Sequence, residues 1–300
     1  MKNIKRCLVA TVALLFTALS CVTAFAETIY IIDGYSYSIS SNTYISLENW
    51  DTSYGTTLTL PDSLANRYFN NISNWAFENR KDIKGLDLSQ AAHLQRIGYE
   101  TFINCSEIST DLVLPESVNQ LNERSFSGCS SIKSISILGN VTVIPTECFY
   151  NNSSAKSLVL PDSLKVIQSW AFGNCTSLEY AEIPKSVTSI AASSFQNDPN
   201  LKLGVWYDSY GYNYAKSKSI PFVLLDDVKL GDASGDGIVN INDVTTIQRY
   251  LAELETLEGI YLHAADANQD GTVDIADATI IQMYLAEYDM EYPIGKVMTQ

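Results

Sequence analysis

Basic residues are scarce in this sequence: 19 Lys plus Arg stand against 34 Asp plus Glu, with 2 His, for a net charge of −15. That deficit removes the cationic surface a nucleic-acid partner requires. The imbalance is local, because from residue 226 onward 15 acidic residues face 3 basic ones, a net −12. No apolar run beyond the first 26 residues approaches the length of a membrane-spanning helix. Cysteine is sparse too: of six, Cys7 and Cys21 fall at the start, and Cys105, Cys129, Cys148 and Cys175 show neither zinc-ligand spacing nor a CxxC pattern.

What is present begins with a leader. Lys2, Lys5 and Arg6 precede an apolar stretch near Cys7 to Leu19 and a small-residue site, Ala24-Phe25-Ala26, which predicts a secretory signal peptide cut before Glu27. Cys21 sits in a box that resembles a lipoprotein cleavage site but lacks its usual leading leucine. The expectation is a soluble chain, secreted to the extracellular side, with no transmembrane segment after cleavage.

Phenylalanines then recur at 77, 102, 126, 149, 172 and 195, spaced 25, 24, 23, 23 and 23. Five residues before each lies an aliphatic, Ile72, Ile97, Leu121, Ile144, Ile167 and Ile190, and after each comes a polar turn such as "FSGC" or "FGNC". Short strands such as "LTLPDSL" and "LVLPESV" lead into the rungs, with Pro at the strand end where its missing N–H costs nothing. One rung cannot bury its own apolar face, so the pattern predicts a stacked solenoid with internal Leu, Ile and Phe ladders. The motif resembles the BspA-type leucine-rich repeat of bacterial surface and secreted proteins over roughly 57 to 222. The Tyr-rich stretch 27–56 reads as an N-terminal cap. Cys105, Cys129 and Cys175 share the position three after Phe; aligned side chains about 4.8 Å apart suit buried free thiols better than disulfides, whose Cβ atoms face each other at about 3.8 Å.

The array carries little that looks chemical. Its predicted exposed strand positions are Thr57, Gly85, Asp111, Ser134, Ser157 and Tyr180, alternating with Thr59, Asp87, Val113, Ser136, Val159 and Glu182. That face is small and polar. His93 has no Ser or Cys partner at recognisable spacing, and Asp87 with Asp111 lacks the apolar pocket an acid pair needs. The run Trp206, Tyr207, Tyr210, Tyr212 and Tyr214 reads as cap packing, with a sugar-stacking platform as the alternative.

Two copies of one acid-rich loop close the chain. The first runs Asp232, Ser234, Asp236, Gly237, Ile238, Asn240, Asp243 and the second, 34 residues on, Asp266, Asn268, Asp270, Gly271, Thr272, Asp274, Asp277. Oxygen side chains at positions 1, 3, 5, 9 and 12, Gly at 6 and a backbone carbonyl at 7 form the pattern of an EF-hand-type calcium loop, with Asp in place of Glu at 12. "DDVKLG" and "LHAA" are too short to be helices preceding the loops. One amphipathic helix follows each loop, with Val244, Ile247, Tyr250 and Leu251, then Ile280, Ile281, Tyr284 and Leu285 as its apolar positions.

Duplicated loop and helix with Asp at 12 resemble type I dockerin modules of cellulosomal proteins, over about 231–289. The resemblance implies two bound Ca2+ ions and a cohesin module of a scaffoldin or cell-surface protein as partner. It also implies that contacts are read at Ile241, Asn242, Gln248, Arg249 and Glu253, and at Ile275, Ala276, Gln282, Met283 and Glu287. Asn242/Ala276 and Arg249/Met283 differ, so the two faces are unequal. The expected fold is α+β: a leucine-rich-repeat β-solenoid followed by a small all-α dockerin. The expected division is a signal peptide (1–26), cap (27–56), solenoid with terminal cap (57–225), linker (226–230), dockerin (231–289) and tail (290–300). The expected function is a non-catalytic interaction or adhesion protein on a cellulosome-like scaffold, its array binding an unknown protein or glycan. The alternative is a carbohydrate-binding or carbohydrate-active component acting on plant polysaccharide.

Overall fold

The computed structural model describes residues 8–10, 29–39, 41, 44–64, 66–289 and 291–298. Most of the expected leader, its cleavage site and Cys21 lie outside the described residues; Leu8–Ala10 pairs antiparallel with Ile29–Ile32. The chain divides into two compact units, Met1–Leu201 and Lys202–Gln300.

The first unit opens on an antiparallel meander, Ile29–Ile32, Tyr35–Ile39 and Tyr44–Trp50, whose last strand pairs in parallel with Arg67–Ile72. From there the chain coils as a β-solenoid. Each full rung contributes two short strands. Leu112–Leu114, Ser134–Ile137, Ser157–Val159 and Tyr180–Glu182 stack in parallel on one side. The aliphatic five before each Phe after Phe77 lies in a second, two-residue strand: Arg96–Ile97 pairs with Gln120–Leu121, and Val143–Ile144, Val166–Ile167 and Ser189–Ile190 stack in turn. Strands of two or three residues have no stability alone; stacking supplies it.

The core is the phenylalanine ladder. Rings 77, 102, 126, 149, 172 and 195 stack at centroid distances of 5.0, 5.2, 5.5, 5.4 and 5.3 Å, with planes within 12° of parallel. The first five are fully buried. Two residues per rung, and one in the last, adopt positive φ to turn the chain around each ring. Two after Phe these are Asn79, Asn104, Gly128, Asn151, Asn174 and Asn197, residue types that tolerate the left-handed region. Two before Phe they are Trp75, Glu100, Arg124, Glu147 and Trp170, which do not favour it. Neighbours hold that second row in place: Trp75 Nε1 donates to Glu100, and Arg124 bridges Glu100 at 3.2 Å and Glu147 at 2.8 Å.

The second unit begins with Lys202–Val205 parallel to Phe222–Leu224, connected through helix α1 (Tyr210–Lys218), which Ser209 caps. Three further helices follow: α2 (Ile241–Leu251), α3 (Gly259–Ala265) and α4 (Ile275–Leu285). Helix α3 corrects the reading of "LHAA" as too short: the helix starts three residues earlier, at Gly259, and buries Ala264 and Ala265. At the far end, Lys229 bridges antiparallel to Val297, and Leu230 and Val228 exchange backbone bonds with Gly295, Lys296 and Met298 at 2.8–3.1 Å. Ile294 and Met298 are buried there.

Candidate functional site

Both acid-rich loops are built by the same contacts. Position 1 is a buried carboxylate that folds the loop over itself: Asp232 accepts from the N–H groups of Gly235 and Gly237, and Asp266 from those of Asp270 and Gly271. Gly237 (φ 83) and Gly271 (φ 92) supply the sharp turn at position 6. Position 12 closes the loop and starts the helix. Asp243 accepts from Ser234 N–H and Asn240 N–H, and Asp277 from Asn268 N–H and Asp274 N–H. Asn240 and Asp274 at position 9 reciprocate by capping α2 and α4, so each loop ends in a capping box. This second duty of positions 9 and 12 was readable, since an Asn or Asp followed three residues later by Asp stands directly before each helix.

Four carboxylates, Asp232, Asp243, Asp266 and Asp277, are therefore 0–5 % exposed. Burial pushes the Asp277 carboxyl above the usual range, and the Asp266 charge adds to the rise. Among the described residues no three His, Cys, Asp or Glu side chains converge as a cluster that could hold a metal by themselves. Mixed oxygens do converge. Asn240 Nδ2 donates to Asp236 Oδ2 at 3.3 Å and to the Ile238 carbonyl at 3.0 Å, which brings positions 5, 7 and 9 around one donor. In the second loop Asn268 Nδ2 donates to Asp270 Oδ2 at 2.9 Å. The N–H groups hold these oxygens together, and the carboxylate, amide, hydroxyl and carbonyl oxygens the loops offer are the donor types a hard cation requires.

Helices α2 and α4 pack on one another through Val244, Ile247, Ala278 and Ile281. The rest of the predicted apolar stripe does not bury: Tyr250 and Ile280 are half-buried, and Leu251, Tyr284 and Leu285 are 37–39 % exposed. All ten residues expected to touch a partner, Ile241, Asn242, Gln248, Arg249, Glu253, Ile275, Ala276, Gln282, Met283 and Glu287, are exposed. Ile241 and Ile275 stand out at 58 % and 61 %, side chains large enough to be costly unless covered.

Comparison with protein families matches both halves of this architecture. Residues 70–202 match the BspA type leucine rich repeat region in six copies, and residues 230–286 match the dockerin type I domain. The chain joins a BspA-type leucine-rich repeat region to a type I dockerin. Both are non-catalytic module types, and the dockerin implies a cohesin partner. No curated protein matches the chain. Among solved structures, a leucine rich repeat protein of T. pallidum is 22% identical with a TM-score of 0.51, covering 57% of this chain and 78% of its own. A leucine rich cell surface protein of Faecalibacterium prausnitzii (19% identity, TM-score 0.44) and a leucine-rich repeat protein of Eubacterium ventriosum (19%, 0.45) cover 61% and 58% of this chain. The chain spans about half the length of those two, 55% and 51%.

On the repeat region, Thr57, Thr59, Asp111, Val113, Ser157, Val159 and Glu182 of the predicted face are exposed, Asp87, Ser134, Ser136 and Tyr180 are half-buried, and one position is overturned. Gly85 is buried, because a Cβ there would come within 2.8 Å of Thr57 Oγ1 and 3.2 Å of Thr110, so the rung closes over it. Asp111 accepts from Ser134 Oγ at 2.6 Å and Asp87 from Ser89 N–H, so each of the two carboxylates has a partner of its own. His93 is bound by Asp62 at 2.8 Å and stacks on Tyr68 at 3.9 Å, with no nucleophile among these contacts. Tyr212 and Tyr214 are buried, and Tyr212 packs on Tyr207 and Phe222. Only Tyr210 of that run is exposed. All four described cysteines are free and buried. Among the described residues no helix is long and apolar enough to cross a membrane.

Proposed function

We propose that this is a secreted, non-catalytic interaction protein whose dockerin docks it, in the presence of calcium, onto the cohesin of a cellulosome-like scaffold, leaving the repeat array to bind a protein or glycan. The observation that carries the reading is the duplicated loop and helix with an exposed apolar residue, Ile241 and Ile275, at the same point of each half. In this reading Asp232, Ser234, Asp236, the Ile238 carbonyl, Asn240 and Asp243 hold one Ca2+, and Asp266, Asn268, Asp270, the Thr272 carbonyl, Asp274 and Asp277 a second. The ion supplies positive charge among carboxylates that otherwise repel one another, and it binds only the closed loop, so its binding energy becomes folding energy. The chain's own groups do the rest: Asp243 and Asp277 couple loop closure to the first turn of α2 and α4, which places the partner-facing residues on ordered helices.

The test is capture of the full chain by immobilised cohesins of several types, with calcium and with excess chelator. Capture with calcium alone, weakened by Ile241→Asp combined with Ile275→Asp, supports the reading. Capture that ignores both chelator and these substitutions refutes it.

A further inference from the structure

A second ladder runs beside the phenylalanines. Three residues after four of the rings, Phe102, Phe126, Phe149 and Phe172, the side chain donates to the phenylalanine carbonyl of the preceding rung. Cys105 Sγ reaches Phe77 O at 2.9 Å, Cys129 reaches Phe102 O at 3.0 Å, Asn152 Nδ2 reaches Phe126 O at 3.0 Å, and Cys175 reaches Phe149 O at 3.3 Å. The last member is Asp198, three after Phe195. In the same register its acceptor is the Phe172 carbonyl, to which an ionised carboxylate has no proton to give. Both Asp198 carboxyl oxygens are buried and make no full hydrogen bond, because the Cys175 backbone N–H beside them bonds the Phe172 carbonyl at 3.3 Å. The titratable group facing it is the Cys175 thiol of the preceding rung, which burial holds in its neutral form.

We propose that Asp198 is a proton-controlled closure of the repeat array: as a neutral acid its O–H donates to the Phe172 carbonyl and completes the ladder, and as a carboxylate it sets acceptor against acceptor and loosens the last rung. The step is a protonation, with solvent as the proton source. Burial pushes this carboxyl up to about 7 from an ordinary 3.8, against a partial downward pull from the Cys175 backbone N–H. The folded chain keeps a proton that the unfolded chain has lost between those values. Stability therefore falls as pH rises through that interval. The other ladder members do not add to it, being buried thiols with raised values and one amide.

The experiment is amide hydrogen exchange of the full chain in calcium between pH 5 and 8, corrected for intrinsic rates. It reads the Phe172 and Asn174 N–H groups, which bond Ser194 and Gln196 carbonyls at 2.9 Å and so tie the last rung to its neighbour. Wild-type protection should fall by roughly tenfold or more toward pH 8, one decade for each pKa-equivalent of destabilisation. Asp198→Asn supplies a donor without titrating, as Asn152 does, and should keep its protection across the range. The Phe126 N–H, bonded to the Cys148 carbonyl at 2.9 Å, is the internal control. Wild-type protection independent of pH, or a pH dependence retained in Asp198→Asn, overturns the proposal. So does a carbon-13 titration of the wild-type Asp198 carboxyl with its midpoint near the ordinary value, a measurement that needs no variant to fold.

Discussion

Phe126 has a parallel ring on each side, at 5.2 and 5.5 Å, and no exposure to solvent. Replacing it with Ala leaves a cavity that two flanking rungs cannot both close, so Phe126→Ala should cost about 3–5 kcal/mol in urea unfolding. The thiols beside the ladder are equally enclosed. Burial pushes Cys105 and Cys148 up to about 12, so a disulfide-exchange reagent at pH 8 should find no reactive thiol until denaturant is added, and four afterwards in a chain begun at Glu27. Much of this was legible, since ring spacing, aliphatic offset and cysteine phase are periodic in the sequence. The left-handed residues were half legible. Asn and Gly two after Phe announce positive φ, whereas Trp75, Glu100 and Arg124 two before it do not, because their conformation is imposed by stacked neighbours.

At the scale of the element, the two acid-rich loops differ in charge. The first offers three carboxylates and the second four, so the second should bind calcium more tightly in isothermal titration. Asp277→Ala removes a loop closure and a helix cap in one substitution. It should lower calcium affinity at least about tenfold, the loss that follows even when a group beyond the ligands is removed, and reduce helix content in calcium. The C-terminal strand offers a separate test. Ile294 and Met298 bury against the segment that leads into the first loop, so ending the chain at residue 290 should destabilise the calcium-loaded dockerin by on the order of 3 kcal/mol by thermal melting. Loops and helices were readable from oxygen spacing and 3.6-residue periodicity. The two-residue second strands and α3 were not: neither is long enough to show a period, and both exist through what they stack on.

For the whole molecule the sequence separated an array from an acidic module, because the period of about 23 residues ends where the charge begins to concentrate. It did not disclose the pairing of residues 228–231 with 294–298, since such a contact between remote segments leaves no local pattern. Purified full chain should release no sugar from plant polysaccharides; hydrolysis abolished by Asp87→Ala or Asp111→Ala would reverse that reading. The terminal pairing carries a mechanical consequence. A tug entering the dockerin at Val228 arrives first at the Lys229–Val297 ladder, ahead of Asp232. Tension is then taken up by a short antiparallel zipper and the Ile294 and Met298 side chains before it reaches the first acid-rich loop, so under a single-molecule stretch residues 291–298 should peel away as the first, small extension, with both loops still closed.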